Sequence, residues 1–182
     1  IGVETGENAK LVKNQLKHFN TEERTLKFPV TTILQDKKKN IWFATDGEGI
    51  WYISNNHLYN INSADGLSEN SVYSLVLTED DEVLAGSDQG ISVCRIFGEK
   101  KKVLNINSKR GLPDNFVKAI VPAGNNPYWV GMQDKGLCLY DNNNRLFSVL
   151  PAFASWKFGQ INKLLQSQDA LWIATEDQGV IK

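Results

Sequence analysis

One motif returns four times along this chain. Trp42-Phe-Ala-Thr-Asp-Gly-Glu-Gly49 is matched by Trp172-Ile-Ala-Thr-Glu-Asp-Gln-Gly179 and Trp129-Val-Gly-Met-Gln-Asp-Lys-Gly136. Val83-Leu-Ala-Gly-Ser-Asp-Gln-Gly90 is the fourth copy, with Val83 in the place of Trp. From position 49 to 90, 136 and 179 the glycines step by 41, 46 and 43 residues. A second element, Gly66-Leu-Ser-Glu-Asn70-Ser-Val72, recurs as Gly111-Leu-Pro-Asp-Asn115-Phe-Val117. Two motifs sharing one period define a repeat protein, whose units are too small to bury their own apolar faces and must stack.

Residues 70 to 116 hold one copy. Val72-Tyr-Ser-Leu-Val-Leu is an apolar run, Thr78-Glu-Asp-Asp-Glu a polar turn and Val83-Leu-Ala a second run. Ile91-Ser-Val-Cys-Arg-Ile follows the glycine loop, Gly98-Glu-Lys-Lys-Lys forms the next turn and Val103-Leu-Asn-Ile-Asn the last run. Short β-rich runs bounded by turn residues read as strands. Asn8 to His18 is ambiguous by itself, and the repeat alignment favours strand. Four antiparallel strands in about 43 residues are the signature of a β-propeller blade.

The expected fold class is therefore all-β, with about four four-stranded antiparallel blades in one domain. Strands are lettered a to d from the inside of the blade outward. Residues 1–28 are expected to supply strands c and d, 29–71, 72–116 and 117–160 three whole blades, and 161–182 strands a and b. Strand a is expected to begin at Val30, Val72, Val117 and Ile161, and strand c at Ile50, Ile91, Leu137 and Val180. The two partial blades complement each other, so the chain is either a closed small ring or a segment of a larger propeller. The start at Ile1 is read as that of a piece of something longer.

The repeated residues read as scaffold. Gly49, Gly90, Gly136 and Gly179 end the b–c loop, where a turn calls for positive φ or close backbone approach. Trp42, Trp129 and Trp172 fill the space between twisted blades. Asp88, Asp134 and Asp177 recur in the same loop and are expected to close their own turns, as are Asn70 and Asn115. Lys37-Lys38-Lys39 and Lys100-Lys101-Lys102 are expected at solvated hairpin tips.

Composition excludes several classes of function. Of 182 residues 41% are hydrophobic and 10% aromatic, which marks a globular chain. A formal net charge of −1 gives no electrostatic footprint for nucleic acid or an anionic membrane. No apolar run approaches the roughly 20 residues of a bilayer-spanning helix. Cys94 and Cys138, in equivalent segments of successive repeats, read as buried strand thiols, with a disulfide as the alternative. Two cysteines and two histidines (His18 and His57) supply no metal-ligand spacing, so neither a metal nor a cofactor is expected.

Ile41-Trp-Phe-Ala-Thr-Asp-Gly-Glu-Gly-Ile, Leu171-Trp-Ile-Ala-Thr-Glu-Asp-Gln-Gly-Val and Gly66-Leu-Ser-Glu-Asn-Ser-Val resemble the two-component regulator propeller repeat. The resemblance covers residues 28 to 182. The second copy lacks the Trp and Thr, and Met132 stands in the Thr place of the third. The resemblance implies the extracytoplasmic, periplasmic sensor region of a membrane histidine kinase, often a hybrid one. It implies a small-molecule or oligosaccharide ligand, and a partner in other propeller segments or a second copy. It implies no catalysis by this chain.

Scaffold positions repeat, whereas functional positions vary between blades at loops. The residue after each strand-a start varies: Thr31, Tyr73, Lys118 and Asn162. These four are expected to ring one mouth of the central channel. Trp156 and Phe158 sit in a d–a connection that lacks the Gly-Leu-x-x-Asn pattern, and either stack on a sugar face or pack beneath the loop. Two other classes of function compete with the sensor. The Trp-Phe-x-Thr stretch also resembles the streptogramin lyase propellers, whose chemistry needs a histidine and acidic residues at the channel mouth. A pure protein-interaction propeller is the other.

Overall fold

The computed structural model describes residues 28–55, 57–97, 100–124, 126–157 and 159–182, and the backbone of strands 9–12 and 15–18. In chain order the strands are β1 Ala9–Val12, β2 Gln15–His18, β3 Val30–Gln35, β4 Ile41–Thr45, β5 Ile50–Ser54 and β6 His57–Ile61. There follow β7 Val72–Leu77, β8 Val83–Ser87, β9 Gly90–Phe97, β10 Lys100–Ile106, β11 Val117–Pro122 and β12 Pro127–Met132. The last are β13 Leu137–Asp141, β14 Leu146–Ser148, β15 Ile161–Gln166, β16 Leu171–Thr175 and β17 Val180–Ile181. Three antiparallel four-stranded sheets, β3 to β6, β7 to β10 and β11 to β14, are followed by the three-stranded β15 to β17, and β1–β2 form a hairpin sheet of their own. The fold is all-β, with successive blades of a β-propeller. All four inner strands begin where the repeat places them.

The blades stack through their inner strands, β3 on β7, β7 on β11 and β11 on β15. Each gap holds its own apolar cluster. Trp42 and Ile50 meet Leu75 and Val83 in the first, Leu84 and Ile91 meet Ile120 and Val130 in the second, and Trp129 meets Leu164 and Ile173 in the third. Among the described residues, β15 and β3 do not pack as a pair of blades, and β1–β2 do not extend the last sheet. Gly2, expected to begin the N-terminal c–d register, lies outside the described residues.

Pairing corrects one register. Trp42 faces Leu34 and Trp129 faces Val121, but it is Leu84, not Val83, that faces Val76. The Trp position of the second blade is therefore Leu84. The loop explains the slip. From the hydroxyl residue that ends strand b to the glycine is four residues in the first blade (Thr45 to Gly49) and three in the second (Ser87 to Gly90). Aligning on glycine shifts the strand by one, which turns every side chain to the wrong face.

The hydroxyl is also what closes the loop. Thr45 Oγ1 donates to Gly49 O at 2.8 Å, Ser87 Oγ to Gly90 O at 3.2 Å and Thr175 Oγ1 to Gly179 O at 3.1 Å. In the loops of Asp88 and Asp177 the closing side-chain bond comes from these hydroxyls, and in the loop of Asp134, where Met132 has none, the backbone N–H of Met132 donates to Gly136 O at 2.8 Å. Asn70 and Asn115 do form turns, accepting from Ser63 N at 2.9 Å and Ser108 N at 2.8 Å. The second lysine run is corrected too. Lys100 to Lys102 lie in β10, and Lys101 Nζ bonds Asn60 O and the Asp65 carboxylate. Lys37 to Lys39 do sit in a turn. Cys94 and Cys138 are free, buried thiols, and burial pushes both up to about 12.

Candidate functional site

Every inner strand carries the same irregularity. Register shifts fall between Val30 and Thr32, Val72 and Ser74, Val117 and Ala119, and Ile161 and Lys163. The skipped residues are Thr31, Tyr73, Lys118 and Asn162. A bulge leaves its extra residue outside the ladder and re-aims its side chain. The four variable positions are thus one structural position, beside the b–c loops.

What the bulged side chains do differs from blade to blade. The Thr31 hydroxyl donates to Val72 O and ties the first blade to the second. Tyr73 stacks on Phe116 with ring centroids 5.6 Å apart, and Lys118 Nζ lies 3.9 Å above Tyr73 and 4.8 Å above Phe116. Asn162 Oδ1 accepts from Gln160 Nε2 at 2.7 Å in an exposed position. The structure therefore brings Tyr73 and Lys118 together. Asp88 lies beside them, with Oδ1 buried and unpaired. Burial first and Glu69 second raise the Asp88 carboxyl above its ordinary value, opposed by its own backbone N–H, then by Gln89 and then by Lys118. Burial also raises the Tyr73 phenol, with Asp88 next in effect.

Trp156 packs under its loop. A Cβ built on Gly136 would stand 2.3 Å from its ring, its Nε1 donates to Gly159 O at 2.6 Å, and Phe153 lies 6.1 Å away. It also lines an open cleft of about 370 Å³ with Asp134, Lys157 and Glu176. Phe158 lies outside the described residues.

A second site, which the repeat did not point to, lies at the opposite end of the blades, between the first and the second. Three rings from neighbouring strands stack in a row. Trp42 and Tyr52 are 4.7 Å apart at 23°, and Tyr52 and Tyr59 4.9 Å apart at 15°. Asp36 fixes the inner end. Its Oδ2 accepts from Trp42 Nε1 at 3.0 Å and Asn40 Nδ2 at 2.7 Å, while Oδ1 accepts from the backbone of Lys38 and Asn40. The row borders a cleft of about 320 Å³ whose wall includes Asn40, Ser54, Asn55 and Asp81. Trp42 is buried at 4% exposure, whereas Tyr59 is 37% exposed. Burial, then Tyr59, raises the Tyr52 phenol, which keeps it a neutral hydrogen-bonding group. The signal available in sequence was Tyr52-x₆-Tyr59 across one hairpin. It stood in one copy only, so period-matching passed over it.

Chemically, a stacked aromatic row beside neutral hydroxyl and amide groups suits a flat ligand face with ring hydroxyls. Among the described residues, no group of three or more His, Cys, Asp or Glu is arranged to hold a metal ion.

Fold and sites together define a propeller assembled from small antiparallel blades. Residues 29–47 match the family described as "Two component regulator propeller". In structure the chain is similar to the extracellular domain of a protein titled a hybrid two component system from B. thetaiotaomicron, with a TM-score of 0.66 at 20% identity over 88% of this chain and 23% of that one. It is similar to PorZ, a surface component of the type-IX secretion system of Porphyromonas gingivalis, with a TM-score of 0.73 at 13% identity over 98% of this chain and 30% of that one. An inactive H270A virginiamycin B lyase from Staphylococcus aureus gives 0.61 at 14% identity over 90% and 54%. These likenesses are of fold, and the chain spans less than a third of either of the first two. No curated protein matches it in sequence.

Proposed function

We propose that this chain is a non-catalytic, extracytoplasmic ligand-sensing propeller segment of a two component sensor, and that its ligand is a carbohydrate. The match over residues 29–47 and the extracellular neighbour support the sensor class. The Trp42–Tyr52–Tyr59 row carries the choice of ligand, because a sugar's C–H face stacks on an exposed ring while its hydroxyls meet Ser54, Asn40 and Asn55. Calorimetric titration of the chain with a panel of soluble oligosaccharides tests it. One glycan is expected to bind without turnover, and Tyr59→Ala to weaken it at least tenfold with little change in melting temperature, since the ring is partly exposed. Turnover of the bound glycan, or no binding across the panel, defeats the proposal.

A second placement of the ligand has its own support. The bulged Tyr73 and Lys118, with the unpaired oxygen of Asp88 beside them, form a polar mouth at the other end of the blades. Loss of binding in Lys118→Ala with full binding in Tyr59→Ala would move the site there.

A further inference from the structure

The cleft beside the aromatic row has a counterpart one blade further on. Strand pairing sets Leu84, Val93 and Leu104 where the first blade has Trp42, Tyr52 and Tyr59. By the same register Glu82 stands in the place of Asn40, Arg95 in that of Ser54 and Lys102 in that of His57. Glu82, Val93, Arg95, Lys102 and Leu104, with Arg145 from the β13–β14 turn of the next blade, line a cleft of about 150 Å³. One place in the fold thus carries two chemistries. Stacked rings face the cleft of the first gap, and aliphatic side chains and cations face that of the second. In the third blade Asp141 and Leu146 hold the positions of Arg95 and Lys102, so the cation pair occurs once in the three whole blades.

The charges around this second cleft do not balance. Three cations, Arg95, Lys102 and Arg145, face one carboxylate, Glu82. Glu82 is already saturated. Its Oε1 accepts from Arg95 Nη2 at 2.9 Å and Arg145 Nη2 at 3.0 Å, and its Oε2 from Arg145 Nη2 and Asn142 Nδ2, both at 3.1 Å. Asp141, at the end of β13, has both oxygens taken by Asn126, Asn143 and Asn144. Arg95 and Lys102 stand directly opposite each other on β9 and β10, and like charges so placed destabilise a sheet. Among the described residues Lys102 has no hydrogen bond or ion pair, and the Nε–H of Arg95 is buried without an acceptor. Buried donors are almost always bonded, so an idle one marks a place for a water or an ion. The surplus of positive charge selects an anion. A tie between blades would need neither the third cation nor the idle donor.

We infer that this cleft binds an oxyanion, a carboxylate or sulfate group held by Arg95, Lys102 and Arg145. A guanidinium presents a planar fork that matches such groups, and the ammonium of Lys102 adds a point charge. Val93 and Leu104 supply an apolar wall for the carbon skeleton that carries the group. The bound anion offsets the repulsion between Arg95 and Lys102. This inference rests on register and charge alone and is independent of the ligand proposed for the aromatic row, so either site can fail without the other.

Magnetic-resonance titration of the whole nitrogen-labelled chain with sodium sulfate and, separately, sodium acetate tests it. Sodium chloride holds the ionic strength constant, and the arginine Nε–H resonances are the readout. Those of Arg95 and Arg145 are expected to shift along a saturable curve with at least one of the two anions, while that of the exposed Arg110 stays in place. Saturation by sulfate alone assigns a tetrahedral oxyanion, by acetate alone a carboxylate, and by both an oxyanion site that takes either. Lys102→Ala removes an exposed charge that bonds nothing, so the fold is kept, as an otherwise unchanged spectrum will verify. The variant is expected to raise the half-saturation concentration by about fivefold. Saturation by neither salt, shifts that Arg110 shares, or a half-saturation that Lys102→Ala leaves unaltered overturns the site.

Discussion

Single residues set the phase of this repeat, and their substitution costs follow from what lies around each Cβ. Gly90 has φ of 114°, and a Cβ there would stand 2.3 Å from the carbonyl oxygen of Ile106, a backbone atom that cannot rotate away. Gly179 has φ of 70° with nothing within 4 Å. The positive φ alone costs an L-residue about 1 to 2 kcal/mol, and forcing atoms into packed space adds about 1 to 3 kcal/mol. Gly90→Ala is therefore expected to destabilise by about 3 kcal/mol and Gly179→Ala by about 1 kcal/mol. Urea unfolding of the two variants checks the difference. Equal losses would mean that backbone conformation, and not the neighbouring strand, is what selects glycine. The sequence could show that these glycines are alike. It could not show that only some are sterically enclosed, because the enclosing atoms lie far along the chain: strand-d carbonyls of Ile61 and Ile106 at Gly49 and Gly90, and the Trp156 ring at Gly136.

At the scale of elements, interfaces between blades differ in kind. The first and third are built on tryptophan. The second has Leu84 there and adds a charged clamp. Glu82, 6% exposed at its side chain, accepts from Arg145 Nη2 at 3.0 and 3.1 Å, from Arg95 Nη2 at 2.9 Å and from Asn142 Nδ2 at 3.1 Å. Arg145 also donates to Tyr140 and Asn142. The arginines are a third or more exposed, so water compensates part of their loss. Glu82→Ala is expected to cost about 2 kcal/mol, and a double-mutant cycle with Arg145→Met to show coupling above about 0.5 kcal/mol. Purely additive losses would reduce the clamp to two separate surface contacts. None of this was legible in sequence. Glu82 and Arg145 are 63 residues apart and lie outside the repeated positions. What was legible was whatever recurs: the strand-a starts, the turn asparagines, the loop glycines and the variable residue that turned out to be a bulge. The register of β8 was misread because one loop is shorter by a residue. Lys100 to Lys102 were misread as a tip because lysine marks both turns and exposed strand positions.

For the whole molecule, cohesion passes from each blade only to its neighbours, as in any linear stack of repeats. The second and third blades are packed on both faces, and the last on one. Local opening should follow that order. In hydrogen exchange, amides of β15 to β17 are expected to exchange well before those of β7 to β9. Uniform protection would show that the chain opens as one unit.

The hydroxyl that ends strand b has a practical corollary. Because Thr45, Ser87 and Thr175 anchor the sheet side while the glycine anchors the far side, the stretch between them can gain or lose a residue without moving either strand. Natural variation has already exercised that freedom once, in the second blade. Peptide epitopes or recognition loops grafted between anchor and glycine would inherit it, making these hairpins the natural attachment points for anyone wishing to rewrite the rim while leaving the stack beneath undisturbed.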